Sequence, residues 1–526
     1  MLYPYQYRAG KAEYRFLYAT IFCLLSACTT LSRASDWPEA AGPQHNFIVD
    51  GSAPTSFSVS RNEGVIWRTP LPNTGESTPI ISGNYVFVTC HAPITADAQL
   101  GSMIFGLCFD AKSGRELWRR DLPGTRETDM ASGFSDNTAS SPVTDGKYVC
   151  FINMGGSIHT YDFAGTLIWK YEWVPFGRHH SLQQEPILYH GNVIIAKTVG
   201  NNVPASATTK GGAQNLLKER EEGENYWTRL HAFDLASGKI NWVAEPGTSV
   251  HVSSLFGVMA NGTAAILTGR GGGHDPLEKP YGLSLLNADN GKAIWDLPSN
   301  TYSAHQNSAW NKSVACAFLG KSHQTIDVQS GELIKDVPLD KDVQICEHTT
   351  DGYKLKLHTS LDFKKSLTLQ SNCLIGDYHY FRAHDQYLIG RIAISTGKVE
   401  YLQVPVLVVR KAGTPDEMLW DKAPPNDVKN NDDFVVCQDK RAMLSGWGHV
   451  SAASPIVIGD YIYMPTMLGM VYVLKWNAPI LDSNALVSIS DLGPALKTWS
   501  LASLSAAEGR IFARTIKELL CIGVVK

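Results

Sequence analysis

Charge is scarce in this 526-residue chain: Asp, Glu, Lys and Arg make up 18%, the formal net charge is −4, and no basic run occurs. That balance argues against nucleic acid as a partner, which needs a concentrated cationic face. None of the ten cysteines forms a Cys-x-x-Cys pair, so no dithiol redox motif, zinc ribbon or haem attachment can be read. The Gly-rich run from Gly269 to Gly273 lacks both the GxGxxG pattern and the Lys-Ser/Thr of a phosphate loop. No Gly-x-Ser-x-Gly elbow is present to support a serine nucleophile. Beyond the N-terminal region, no apolar run is long enough to cross a bilayer.

The N-terminal region has the build of a targeting segment. Arg8, Lys11 and Arg15 precede an apolar run from Phe16 to Ala27, too short for a span and right for the core of a signal peptide. It ends Leu25-Ser26-Ala27-Cys28, which resembles a bacterial lipobox and implies lipidation of Cys28. The competing reading is ordinary cleavage near Ala34. Either way the mature chain is expected outside the cytoplasm, in the periplasm or at the outer membrane, with contact to a membrane only through the lipid. Export permits disulfides. However, Cys108, Cys150 and Cys521 sit in strand-like runs, so buried thiols are the default and metal binding through cysteine has little support.

Glycine and tryptophan are plentiful, at 45 and 13, and they recur together. Asp110-Ala111-Lys112-Ser113-Gly114 leads into Arg115-Glu116-Leu117-Trp118, two strands joined by a tight turn that uses Gly for positive φ. Shortened or full copies end at Trp169, Trp242 and Trp295; a fifth ends at Lys335 and a sixth at Tyr401, with spacings of 40 to 73 residues. One supersecondary unit recurring at that period predicts a propeller or solenoid. Each unit starts after Ser/Thr-Pro or an equivalent: Thr78-Pro79, Ser141-Pro142, Glu185-Pro186 and Ser454-Pro455.

The expected organisation is a signal segment over 1–28, a linker arm over 29–60 and one β domain over 61–526. Trp37-Pro38 and Gly42-Pro43 are expected to dock the arm on the domain surface. A charge-rich stretch from Lys218 to Glu224, inside an insertion at 201–227, is read as a short helix. An extra hairpin is expected within 336–370, and 402–448 reads as a long connection. The last unit supplies three strands and Val65-Ile66-Trp67 the fourth, which closes the ring and removes its open edge. The count is eight blades, or seven if the fifth and sixth are one.

These features resemble the pyrroloquinoline-quinone-type (PQQ-like) β-propeller repeat over about 65–526. The resemblance implies an all-β, eight-bladed propeller of four-stranded blades, with Trp67, Trp118, Trp169, Trp242 and Trp295 docked between neighbours. It is also similar in architecture to BamB-type outer-membrane lipoproteins, whose propeller is a non-catalytic scaffold.

Chemistry is expected where the loops entering the first strand and joining strands two and three share a face. Register places Asn73, Asp136, His180, His251, His305 and His449 there, joined by His91, Arg178, Arg270 and His274. Converging imidazoles can bind a ligand or move a proton, and Arg178 or Arg270 suits an anion. The same histidines would serve equally as partners for loop backbone. Three functions follow: a scaffold binding a protein, carbohydrate or small ligand; a polysaccharide-active enzyme of the lyase type; and a dehydrogenase using PQQ and calcium. The last has least support, since the family's vicinal Cys-Cys pair and matched ligand motifs are missing. No cofactor is expected, and the scaffold is the preferred reading.

Overall fold

A computed structural model describes residues 36–93, 99–129, 137–175, 184–198, 228–248, 254–272, 278–300, 308–363, 372–383, 387–411, 413–421, 426, 428–435 and 453–524. They form an all-β, eight-bladed propeller. Blade 1 runs through Ile80–Ser82, Tyr85–His91, Gln99–Asp110 and Glu116–Asp129, and blades 2 to 7 repeat that antiparallel order. Innermost strands touch between blades 8 and 1, 1 and 2, 2 and 3, 4 and 5, and 5 and 6.

Closure is as the sequence implied. Val65–Pro70 pairs antiparallel with Glu518–Ile522 and becomes the outer strand of blade 8. The expected extra hairpin is also there. Lys341–Thr349 and Gly352–Ser360 extend blade 6 to six strands, the first running parallel to Val399–Gln403.

The recurrent turn has a packing cause. Asp110 Oδ1 accepts from the Ser113 amide and hydroxyl at 2.8 and 2.7 Å, and Gly114 takes φ +70°. A bulge follows and turns Trp118 toward blade 2. There its Nε1 donates to Phe163 O at 2.9 Å. Trp67, Trp169 and Trp295 donate in the same way to Ala111 O, Leu235 O and Val328 O. The acceptor is always the carbonyl just after the turn's Asp. Blades 8, 1, 2 and 4 thus each plug an indole into the turn of the next blade.

At two of the other seams a cation takes the place of the indole. At the seam from blade 5 to blade 6, Lys335 replaces Trp and donates from Nζ to Ile394 O and Ser395 O at 3.0 and 2.9 Å, the equivalent turn. Blade 6 lacks the bulge, so its fourth strand is out of phase by one residue and faces the other way. Tyr401, expected in the Trp role, accordingly points back and donates to Leu339 O at 2.7 Å. Arg391 takes over toward blade 7, donating to Ala478 O at 2.7 Å and pairing with Glu400 at 2.7 Å.

The arm also differs from expectation. Trp37, Phe47, Val49, Phe57 and Val59 are all buried, so the segment belongs to the core rather than the outer surface. Bulky apolar side chains hidden among polar neighbours such as Gln44 and Asn46 gain more from the axis than from solvent. The 402–448 connection contains a small hairpin, Leu407–Val409 with Glu417–Leu419. The stretch from Lys218 to Glu224 and the lipobox lie outside the described residues.

Candidate functional site

The arm threads the axis. Trp37 exchanges both backbone hydrogen bonds with Ile81 of blade 1 at 2.9 Å, and Thr144 N of blade 2 donates to Pro38 O at 3.0 Å. Glu39 reaches blade 3, where its Oε2 accepts from Leu188 N at 2.7 Å; its Oε1 lies 2.7 Å from His45 Nδ1. His45 meets Phe256 of blade 4 edge-on at 4.6 Å. Ile48–Val49 then adds as a parallel strand to Ile456–Ile458 of blade 7. Gly83 N donates to Asp36 Oδ1 and Gly459 N to Val49 O, both at 2.9 Å. These glycines sit in turns between first and second strands, so the arm closes the axis at that end.

A small pocket lies beside the arm. His45, Phe47, Phe256, Trp310, Asn372 and Leu374 line it.

At the other end of the inner strands the Ser/Thr-Pro positions form a belt. Thr78 N donates to Ser141 Oγ at 2.8 Å, Ser141 N to Glu185 Oε2 at 2.7 Å, and Ser454 N to Ser503 Oγ at 2.8 Å. Burial pushes the Glu185 carboxyl up to about 7, helped by the nearby Glu39 charge and opposed by the Ser141 bonds. The belt ties blade to blade and leaves these polar groups satisfied.

Of the residues singled out from sequence, Arg270 is buried at the end of the second strand of blade 4, 3.6 Å from Asp296 Oδ1. Asn73 is buried and donates to Asp432 Oδ2 at 2.5 Å. His91 is buried in the second strand of blade 1. Asp136, Arg178, His180, His251, His274, His305, His449 and Cys28 lie outside the described residues. The sequence reading missed the axial role of Asp36 to Val49. The apolar pair Phe47 and Val49, at strand spacing beside Trp37, was the available signal.

The family model described as outer membrane protein assembly factor BamB matches residues 30–244 and, overlapping, 107–315. Together these cover more than half of the chain. The chain belongs to this family. No curated protein sequence matches it. Among solved structures it is similar to quinohemoprotein alcohol dehydrogenase ADHIIG from Pseudomonas putida HK5, at 11% identity over 94% of this chain and 81% of that one, with a TM-score of 0.52. The quinohemoprotein alcohol dehydrogenase from Comamonas testosteroni gives 12%, 93%, 81% and 0.50. BamB from Moraxella catarrhalis aligns at 12% identity over 72% of this chain and 93% of that one, with a TM-score of 0.34. At these identities the likeness shows the fold alone.

The dehydrogenase-like neighbours raise the question of PQQ and calcium. Calcium takes six to eight oxygen ligands, mostly carboxylates and carbonyls. Among the described residues, the one group of His, Cys, Asp and Glu close enough to hold an ion contains no carboxylate. No two cysteines are adjacent in the sequence.

Proposed function

We propose that the protein works outside the cytoplasm, at the periplasm or outer membrane, as a non-catalytic scaffold that binds a protein partner. The family supports this reading, and so does the axis, where the chain's own arm occupies one end of the space a substrate would use. The observation that carries it is the outer hairpin of blade 6. Gly352–Ser360 is hydrogen-bonded on one side only among the described residues. Along it Lys354 and Lys356 pair with Asp351 and Glu347 on one face, while Leu355 and Leu357 alternate on the other, Leu357 being 73% exposed. A free strand edge beside exposed leucines is a ready acceptor for a partner strand.

The reading is tested by placing a photo-crosslinking residue at position 357 in producing cells, with and without Leu355→Ser. One discrete envelope-protein adduct, lost in the variant, is the expected result. In parallel, purified protein given PQQ, calcium, an alcohol panel and an electron-accepting dye is expected to show no turnover. Dye reduction dependent on both cofactors would overturn the proposal.

A further inference from the structure

The seam between blades 5 and 6, where Lys335 stands for Trp, holds an unusual polar cluster. Cys316 projects from the second strand of blade 5 and His323 from its third, while His379 comes from the second strand of blade 6. All three are buried. Their ligand-type atoms lie within 4.8 Å of one another. His323 Nε2 is 2.9 Å from His379 Nδ1, and His379 Nε2 is 2.9 Å from Asn372 Oδ1.

The protons can be placed along this chain. Asn372 Oδ1 accepts from His379 Nε2–H, which leaves a lone pair on Nδ1. That lone pair accepts from His323 Nε2–H. His323 Nδ1 then ends the chain, buried and without a hydrogen-bond partner. The ring of Phe318 flanks both imidazoles at 5.1 and 4.7 Å, which keeps solvent out.

We propose that Cys316 Sγ and the imidazoles of His323 and His379 form a binding site for a thiophilic transition-metal ion, with monovalent copper the best match. Imidazoles ligate as neutral bases, whereas cysteine ligates as the thiolate. Binding therefore releases one proton: the S–H bond breaks, the proton leaves to solvent, and the sulfur pair forms the bond to the metal. Moving the His323 proton from Nε2 to the bare Nδ1 frees both facing lone pairs. Nitrogens sharing one trigonal ion at bonds of about 2.0 Å sit about 3.5 Å apart, roughly half an ångström beyond the observed 2.9 Å.

Charge selects the ion. One thiolate with two neutral imidazoles carries −1, so a monovalent ion leaves the seam neutral, whereas a divalent ion buries a net positive charge. Two His and one Cys also form a soft, trigonal set that suits copper. The Asn372 carbonyl oxygen, which holds His379 from outside, has the orienting role usual for metal-bound imidazoles. Asn372 also lines the pocket beside the arm. The site would pin blade 5 to blade 6 where the indole plug is missing.

The test uses the full mature chain, stripped with a chelator under reducing conditions. It is titrated with Cu⁺ against a chromogenic competitor and, separately, with Zn²⁺, and bound metal is counted by elemental analysis. One Cu⁺ per chain is expected, with one sulfur and two nitrogens in the X-ray absorption spectrum of the wild type. Cys316→Ser and His379→Gln should each weaken binding at least ten-fold, while Cys150→Ser, a buried thiol in blade 2, should not. Failure to take up either ion stoichiometrically overturns the site, as does undiminished uptake by Cys316→Ser. Uptake of Zn²⁺ in preference to Cu⁺ overturns the monovalent assignment. The wild-type spectrum decides the ligand set even if a variant fails to fold.

Discussion

Trp169 and Gly238 meet across blades 2 and 3 so closely that a Cβ on Gly238 would lie 2.6 Å from the indole ring. The turn glycine is thus fixed twice, by its φ of +73° and by its neighbour's tryptophan. Gly238→Ala is expected to lose about 1–3 kcal/mol of stability, and Trp169→Ala about 2–4 kcal/mol. In the Trp169→Ala background the glycine substitution should cost only its backbone strain, about 1 kcal/mol. Denaturant midpoints of the double-mutant cycle measure the difference. Strict additivity would show that the two residues are not coupled.

Acid should weaken the fold in a defined window. Burial lowers His159 and His231 to about 4, against an ordinary value near 6.5. Their contribution is fully present above pH 6.5 and is lost as pH falls toward 4, because the unfolded chain takes up protons that the folded one refuses. Glu185 acts in the opposite sense. Its raised value, about 7, gives stability that is full below about 4.5 and lost as pH rises through 7. Between these limits the groups partly cancel. Glu185→Gln should therefore make the loss on acidification steeper, and His159→Gln with His231→Gln should make it shallower, each group changing the slope by up to about 1.4 kcal/mol per pH unit. Thermal midpoints from pH 4 to 7.5 check the ordering.

Removing the arm's anchor should open the axis. Trp37→Ala deletes a fully buried indole at an expected cost of about 3–5 kcal/mol. Glu39→Ala removes the acceptor for Leu188 N and the partner of His45. Both variants should speed hydrogen exchange at Ile81 and Leu188 while the blade 1 turn at Gly114 stays protected. Uniform loosening of the whole ring would show that the arm is not a separate element.

Much of this architecture is written locally. Asp110, Gly114 and Trp118 announce a hairpin at short range, and their recurrence counts the blades. The spare strand at Trp67 and the hairpin inside 336–370 were legible for the same reason. Tyr401 was not, because one missing bulge reverses a strand's faces and no residue type marks it. Trp37 reads as a surface contact from its polar neighbours, since only the closed ring creates an axis to fill. Cys316, His323 and His379 are brought together across a seam between two blades, and sequence spacing carries no trace of that. The histidines expected on the loop face lie outside the described residues, apart from His91, which is part of a strand.

The ring is joined by partners far apart in the chain: Arg68 bonds Glu518 across 450 residues, within the strand pair that completes blade 8. Such a contact cannot form until nearly the whole polypeptide has been delivered. Folding is then gated by the arrival of the last strand, and long-range pairing of this kind is slow. Until that moment Val65–Pro70 lacks its one sheet partner among the described residues, so a pause short of residue 518 leaves the chain at its most vulnerable to proteases and to other unfinished copies.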